Sequence, residues 1–257
     1  MNTTTAPTTD DLVRPALDRR TAMRLAAAEY VRMAEALADV RPDEWTLPTD
    51  CPAWDVRQLG CHMVGMAAMV SSPLEQRRQT RRAAADAAAR QVPLLDALTG
   101  LQVSERTDWT PTQVVTGAHR VGRKAAHGRR LTPSFVRRRP VPAPQTVGGR
   151  VESWSIGFLL DVILTRDPWM HRMDLARATG RAAVLTADHD GALVADVVVE
   201  WARRHDAAYE LTLTGPAGGT WSRGEGGEVL RLDAVDFCRV LSGRGRGEGL
   251  LAVQVPF

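Results

Sequence analysis

The chain has 257 residues, with 33 Lys and Arg against 30 Asp and Glu and a hydrophobic fraction of 44%. That length makes one large domain or two small ones around a sizeable core, and a net charge of +3 is too small to name an anionic polymer as partner. Cys51, Cys61 and Cys238 share no CxxC spacing and leave one thiol over in any single-disulfide scheme, which argues against a disulfide framework and for the reducing cytoplasm.

The opening MNTTTAPTTDD lacks the basic start and apolar run of a signal peptide, and no segment approaches about 18 uninterrupted apolar residues. A cytoplasmic protein without a membrane partner is the expectation. Residues 1–12, Thr- and Asp-rich and without apolar periodicity, read as a disordered tail. From Asp18 to about Val40, Met23, Leu25, Ala26, Tyr30, Met33 and Leu37 fall at helical spacing. The following RPDEWTLPTDCPAW contains three prolines and reads as a structured loop. Asp55, or the residue before it, caps a second helix, VRQLGCHMVGMAAMVSSPL. The charged QRRQTRRAAADAAAR reads as a solvated helix, and further helical patterns cover about 90–104 and 111–127. Prolines and glycines make 128–150 a long loop. An apolar-periodic stretch then runs from Val151 to Thr179 and stops at Gly180.

Residues 13–182 therefore read as a bundle of about four main helices, and 183–257 as a smaller α+β domain. In the latter, a helix at 187–204 precedes YELTLTG, TWSRG and EVLRLD, which read as a short antiparallel sheet. A helix, AVDFCRVLSG, and the apolar LLAVQVPF close the chain. The fold class expected is α+β in two domains.

Of six histidines, His62 and His171 sit on the apolar sides of their helices. A buried neutral imidazole needs partners for its nitrogens. Metal ligation supplies one explanation and a hydrogen-bonded core histidine the other. Asp167 and His171 stand at i, i+4, one face of a helix, although Pro168 between them also makes Asp167 the type of residue that begins a helix. His62, Asp167 and His171 together form a three-ligand set with an open fourth position, the coordination of a catalytic zinc. His119 and His127, among arginines, read as solvated, and His189 as part of a helix start. The basic run from His119 to Arg139 reads as a solvated face or as an entrance for a small anionic substrate. Without interleaved aromatics or a recognition motif, no nucleic-acid partner is expected. The cysteines read as packed small hydrophobes.

The stretch 45-WTLPTDCPAWDVRQLGCH-62 resembles the signature of the mycothiol-dependent maleylpyruvate isomerase family, a branch of the DinB-like metal-binding four-helix bundles. So does 167-DPWMHRMDLARATG-180, which resembles that family's carboxylate-x-x-x-His-x-x-Asp-Leu-Ala helix. YELTLTGPAGGTW and DFCRVLSGR are similar to its smaller second domain, so the resemblance spans about 18–256. It implies a divalent metal, usually zinc, on His62, Asp167 and His171. Asp167 departs from the glutamate of the family pattern, and its carboxylate is shorter by about 1.5 Å. Asp174, three residues past His171, would orient an imidazole. Arg244 in LSGR matches the family's arginine for negative charge on substrate or enolate, with Arg246 close by.

The resemblance further implies mycothiol as thiol cosubstrate and a small, anionic electrophile as substrate. In that reading a metal-activated thiolate adds to a cis-enone diacid, rotation follows, and elimination returns the trans isomer; an electrophile with a leaving group would instead make the chain an S-transferase. The alternative is a non-catalytic metal- or small-molecule-binding DinB-like protein. Metal identity, thiol-contacting residues and oligomeric state are not specified by the residues.

Overall fold

The computed structural model describes residues 12–257. The tail expected at 1–12 lies outside the described residues except for Leu12, which is buried. Two compact units divide the chain: Ala26–Thr132 with Pro168–Ala183, and the described part of Met1–Leu25 with Pro133–Asp167 and Val184–Phe257. This division differs from a boundary at 182/183, because 133–167 group with the C-terminal residues. Among the described residues no helix is long and apolar enough to cross a membrane.

The first unit is a helical bundle. α1 (Arg19–Ala38) begins where Asp18 Oδ1 accepts from the backbone of Arg20 and Thr21 at 2.9 and 3.0 Å. From Ala26 onward it buries Ala26, Tyr30, Met33 and Leu37 along one stripe. α2 (Val56–Ser71) is buried continuously from Leu59 to Ala67, as a helix surrounded by others must be. Its glycines let neighbours approach: a Cβ at Gly60 would lie 2.8 Å from Val114 of α5 (Pro111–Leu131).

α2 does not continue to Leu74 as the sequence suggested. Ser72 turns extended, and Pro73 opens α3 (Pro73–Arg90), the first position of a helix being the one that tolerates a missing N–H. α3 is solvated over much of its length, yet Gln79 and Ala83 are completely buried. α4 (Leu94–Ser104) follows. The bundle is completed by the second part of α8 (Leu164–Ala178), which buries Trp169, Met170, Met173 and Leu175 and pairs Arg172 with the buried Glu29 at 2.8 Å.

The expected loop 128–150 proves partly ordered. Its first residues end α5 within the first unit, and from Pro133 onward, in the second unit, it holds the short α6 (Ser134–Arg137) and a hairpin of β1 (Gln145–Val147) and β2 (Arg150–Glu152). Gly148 and Gly149 make its turn at φ 54° and 78°, the left-handed pair that a two-residue hairpin demands. Trp154, Phe158, Val162 and Ile163 form a core cluster against Val13 and Val147. The chain runs from α7 (Ile156–Phe158) through a π-helical turn, Leu159–Ile163, into α8.

At the start of α8, the buried Arg166 donates to Asp196 Oδ2 at 2.6 Å and Glu200 Oε2 at 2.6 Å, both on α9 (Ala192–His205). A π-helical turn, Ala187–Gly191, precedes α9. β3 (Tyr209–Thr214) pairs antiparallel with β4 (Gly219–Arg223), as expected, but parallel with β5 (Glu228–Asp233). The sheet is therefore mixed, in the order β4-β3-β5. Arg223 and Glu228 both register with Tyr209, so the four residues 224–227 must cross the start of β3. Glycine permits it: a Cβ at Gly227 would lie 2.1 Å from the Ala208 carbonyl carbon. α10 (Ala234–Leu241), capped by Asp233, and a 3-10 turn at Gly249–Ala252 follow.

Candidate metal centre

The loop before α2 is shaped by its own polar groups. Thr49 Oγ1 donates to Trp54 O at 2.9 Å and the Trp54 N–H to Cys51 O at 2.8 Å, closing a tight turn over Thr49–Trp54. Asp55 then makes a reciprocal cap with Gln58, accepting from its N–H at 2.7 Å while Gln58 Oε1 accepts from Asp55 N–H at 2.9 Å. This fixes the start of α2 and puts His62 two turns in, 4% exposed. His62 Nδ1 lies 2.8 Å from Gln102 Oε1 of α4. Trp54 comes back over the helix, with its ring centroid 4.7 Å from that of His62 and 5.9 Å from that of His171.

α8 supplies the other groups. Along it, Asp167 and His171 stand one turn apart on one face. Pro168 is accommodated inside the helix because the chain opens just upstream. Leu164, four residues earlier, has ψ 10°, which turns its carbonyl off the axis where the proline ring would otherwise meet it. His171 is 5% exposed, and its Nδ1 lies 3.0 Å from Oδ2 of the fully buried Asp174. A carboxylate only accepts, so in the neutral imidazole Nδ1 carries the proton and Nε2 the lone pair. Cys51 Sγ approaches the same pair, 3.7 Å from His171 Nδ1 and 3.7 Å from Asp174 Oδ2.

The rings of His62 and His171 are 5.3 Å apart and nearly perpendicular. Asp167 stands four residues before His171 on the same helix. Two imidazoles and a carboxylate suit a borderline divalent ion, and both imidazoles have Nδ1 engaged by an acceptor, as ligating histidines do. The donor set fits the expected group. A second cluster, Cys51, His171 and Asp174, shares His171, but its short Nδ1 to Oδ2 distance is that of a hydrogen bond.

The family model of the mycothiol maleylpyruvate isomerase N-terminal domain matches residues 26–176, more than half of the chain. The chain belongs to the mycothiol maleylpyruvate isomerase family. Among solved structures, the crystal structure of the mycothiol-dependent maleylpyruvate isomerase shares the fold at TM-score 0.56 and 16% identity, over 93% of each chain. A histidine-to-alanine mutant of that enzyme gives TM-score 0.55 and 15% identity, again over 93% of each chain. A comparison with curated protein sequences gave no match.

Within this family member, His62 and His171 lie close together, and Asp174 meets His171 as its spacing implied. Arg244, in the other unit, is half-buried, and its guanidinium donates to Ser242 Oγ at 3.3 Å; Arg246 is exposed. His119 and His127 are exposed on α5, and His189 is buried in the turn before α9. Cys61 and Cys238 are packed hydrophobes, burial pushing both thiols up. Cys51 is not: it is half-buried beside His171. Sequence reasoning missed Gln102, Gln79 and the contact of Trp54. Only Trp54 left a signal, as one of the tryptophans in the matching block.

Proposed function

We propose that the chain is a thiol-dependent metalloenzyme that isomerises a small, anionic, electrophilic substrate. His62 and His171 would hold a divalent cation through Nε2, with Asp167 as the anionic third ligand; imidazole and carboxylate donors favour zinc. Bound there, the cation would supply the positive charge that lowers the pKa of a thiol and keeps it as thiolate near neutral pH. Mycothiol is the cosubstrate that family membership suggests, and a cis-enone dicarboxylate the substrate class.

The chain's own residues have separate tasks. Asp174 and Gln102 hold the Nδ1 protons, which keeps each Nε2 a donor to metal. Trp54 sets an apolar wall beside both rings and limits water there. Arg244 is the proposed contact for a substrate carboxylate or enolate. Asp167, shorter than glutamate, would reach the cation from one turn before His171 on α8.

The observation that carries this reading is the pairing of two buried imidazoles, each with its Nδ1 against an acceptor and its ring 5.3 Å from the other. The test is metal content and turnover of wild type, His62→Ala and His171→Ala, with mycothiol, glutathione and no thiol. Stoichiometric zinc and mycothiol-dependent isomerisation in the wild type, both lost in the two variants, are expected. Wild-type protein without metal sinks the proposal. A stable thiol adduct as the product would reassign the reaction to S-transfer.

A further inference from the structure

His171 is oriented by a charged neighbour on its own helix. His62 is oriented by a neutral amide from another helix, and an amide has two ends. A glutamine facing a histidine fixes nothing unless its own orientation is fixed, since rotation by 180° exchanges an acceptor for a donor. The orientation is settled further out. Gln79 Nε2 lies 3.1 Å from the backbone oxygen of Gly65 and 2.9 Å from Glu75 Oε1. Both are pure acceptors, so the nitrogen of Gln79 must face them and its Oε1 must face Gln102. Gln102 Nε2 donates to that oxygen at 3.0 Å, which leaves Gln102 Oε1 facing His62 Nδ1 at 2.8 Å. The proton therefore belongs on Nδ1 and the lone pair on Nε2.

The far end is anchored. Arg78 donates to Glu75 Oε2 at 2.8 Å and to Oε1 at 2.7 Å, and also to both oxygens of Glu105 at 2.6 and 2.7 Å. This fork holds the Glu75 carboxyl down at about 2, so the terminal acceptor keeps its charge across the working pH range. Gln79 and Gln102 are 0% and 1% exposed, which leaves them little other than each other to bond. The approach of α4 depends on a missing methyl group: a Cβ on Gly65, three residues past His62, would lie 2.6 Å from Gln102 Cβ.

We propose that Gln102 and Gln79 are positioning residues, a two-amide relay that holds His62 in the Nδ1–H tautomer with Nε2 presented as a metal ligand. This rests on the reading of His62 as a ligand. The relay acts through His62 and touches neither substrate nor metal. It makes the two imidazoles unequal, because a neutral acceptor leaves His62 the less electron-rich of the pair.

The test uses full-length, metal-free protein labelled with 15N-histidine, in which nitrogen shifts report the tautomer of each imidazole, alongside zinc affinity by chelator competition. Wild-type His62 is expected as Nδ1–H. Gln102→Met keeps the shape and removes the acceptor; it is expected to give a mixture of tautomers and to weaken zinc at least about tenfold. Gln102→Glu, which restores an acceptor at Nδ1, is expected to recover the Nδ1–H tautomer and most of the affinity. Gln79→Met, which frees the Gln102 amide to turn, is expected to give a smaller shift in the same direction. His62 protonated on Nε2 in the wild type, or Gln102→Met with tautomer and affinity unchanged, overturns the proposal. Wild type that binds no zinc while its His62 tautomer still follows Gln102 overturns the metal reading and leaves the relay standing.

Discussion

His62 and His171 face each other, 5.3 Å between rings, and are held in opposite ways. His171 relies on Asp174, three residues along the same helix, a carboxyl group with no exposure to solvent. His62 relies on Gln102, 40 residues away on α4, a neutral amide whose direction is inherited from Gln79, Gly65 and Glu75. The first arrangement is local and forms whenever α8 forms. The second exists only once α2, α3 and α4 have packed. Charge does for one histidine what assembly does for the other, so they should fail differently.

The largest effect is expected at the charged holder. Asp174→Leu removes the carboxylate and leaves a buried Nδ1–H without its acceptor, and zinc affinity should fall by about 100-fold, read by chelator competition. That loss should exceed the one in Gln102→Met. An equal loss in both would erase the distinction between charged and neutral support. Gly65→Ala attacks assembly instead. The new methyl drives against Gln102 Cβ, and thermal or chemical unfolding should show about 1–3 kcal/mol of destabilisation together with weaker zinc binding. No substitution near His171 should couple helix packing to affinity in this way.

A smaller effect belongs to the third ligand. Asp167→Asn keeps the shape and loses the charge, so affinity should fall on the order of tenfold, or about 1.4 kcal/mol; Asp167→Glu should keep most of it. The smallest is a pH effect at the end of the relay. Glu75, held at about 2 by Arg78, stabilises the fold above its ordinary value of 4.5, and that contribution is lost as pH falls from there through 2. Glu75→Gln should flatten that part of the acid limb in pH-dependent unfolding, without moving the His171 resonances.

The same contrast explains what was legible in the sequence. Asp167, His171 and Asp174 follow one another at steps of four and three residues, and helical spacing puts them on one face before any tertiary structure is known. His62 was marked by its apolar neighbours. Gln79 was hidden in QRRQTRRAAADAAAR, whose charge speaks for a solvated helix; its burial is decided by α2 and α4. Gln102, in LQVS, has no local pattern at all. The strands were legible and the pairing of β5 was not, because a short glycine-rich link suggests a hairpin while these glycines let 224–227 cross over the backbone of Ala208. The hairpin of β1 and β2 could have been found from VGGR, since paired glycines mark a two-residue turn. The π-helical turn before α8 left no trace in composition, although it is what admits Pro168.

Trp54 gives the site an optical property. Its ring lies against both His62 and His171, 4.7 and 5.9 Å away. Any ion taken between those imidazoles changes the electric field on this indole, and a paramagnetic one such as cobalt or copper quenches its emission. The protein thus carries its own fluorescent indicator of occupancy, which Trp54→Phe would silence.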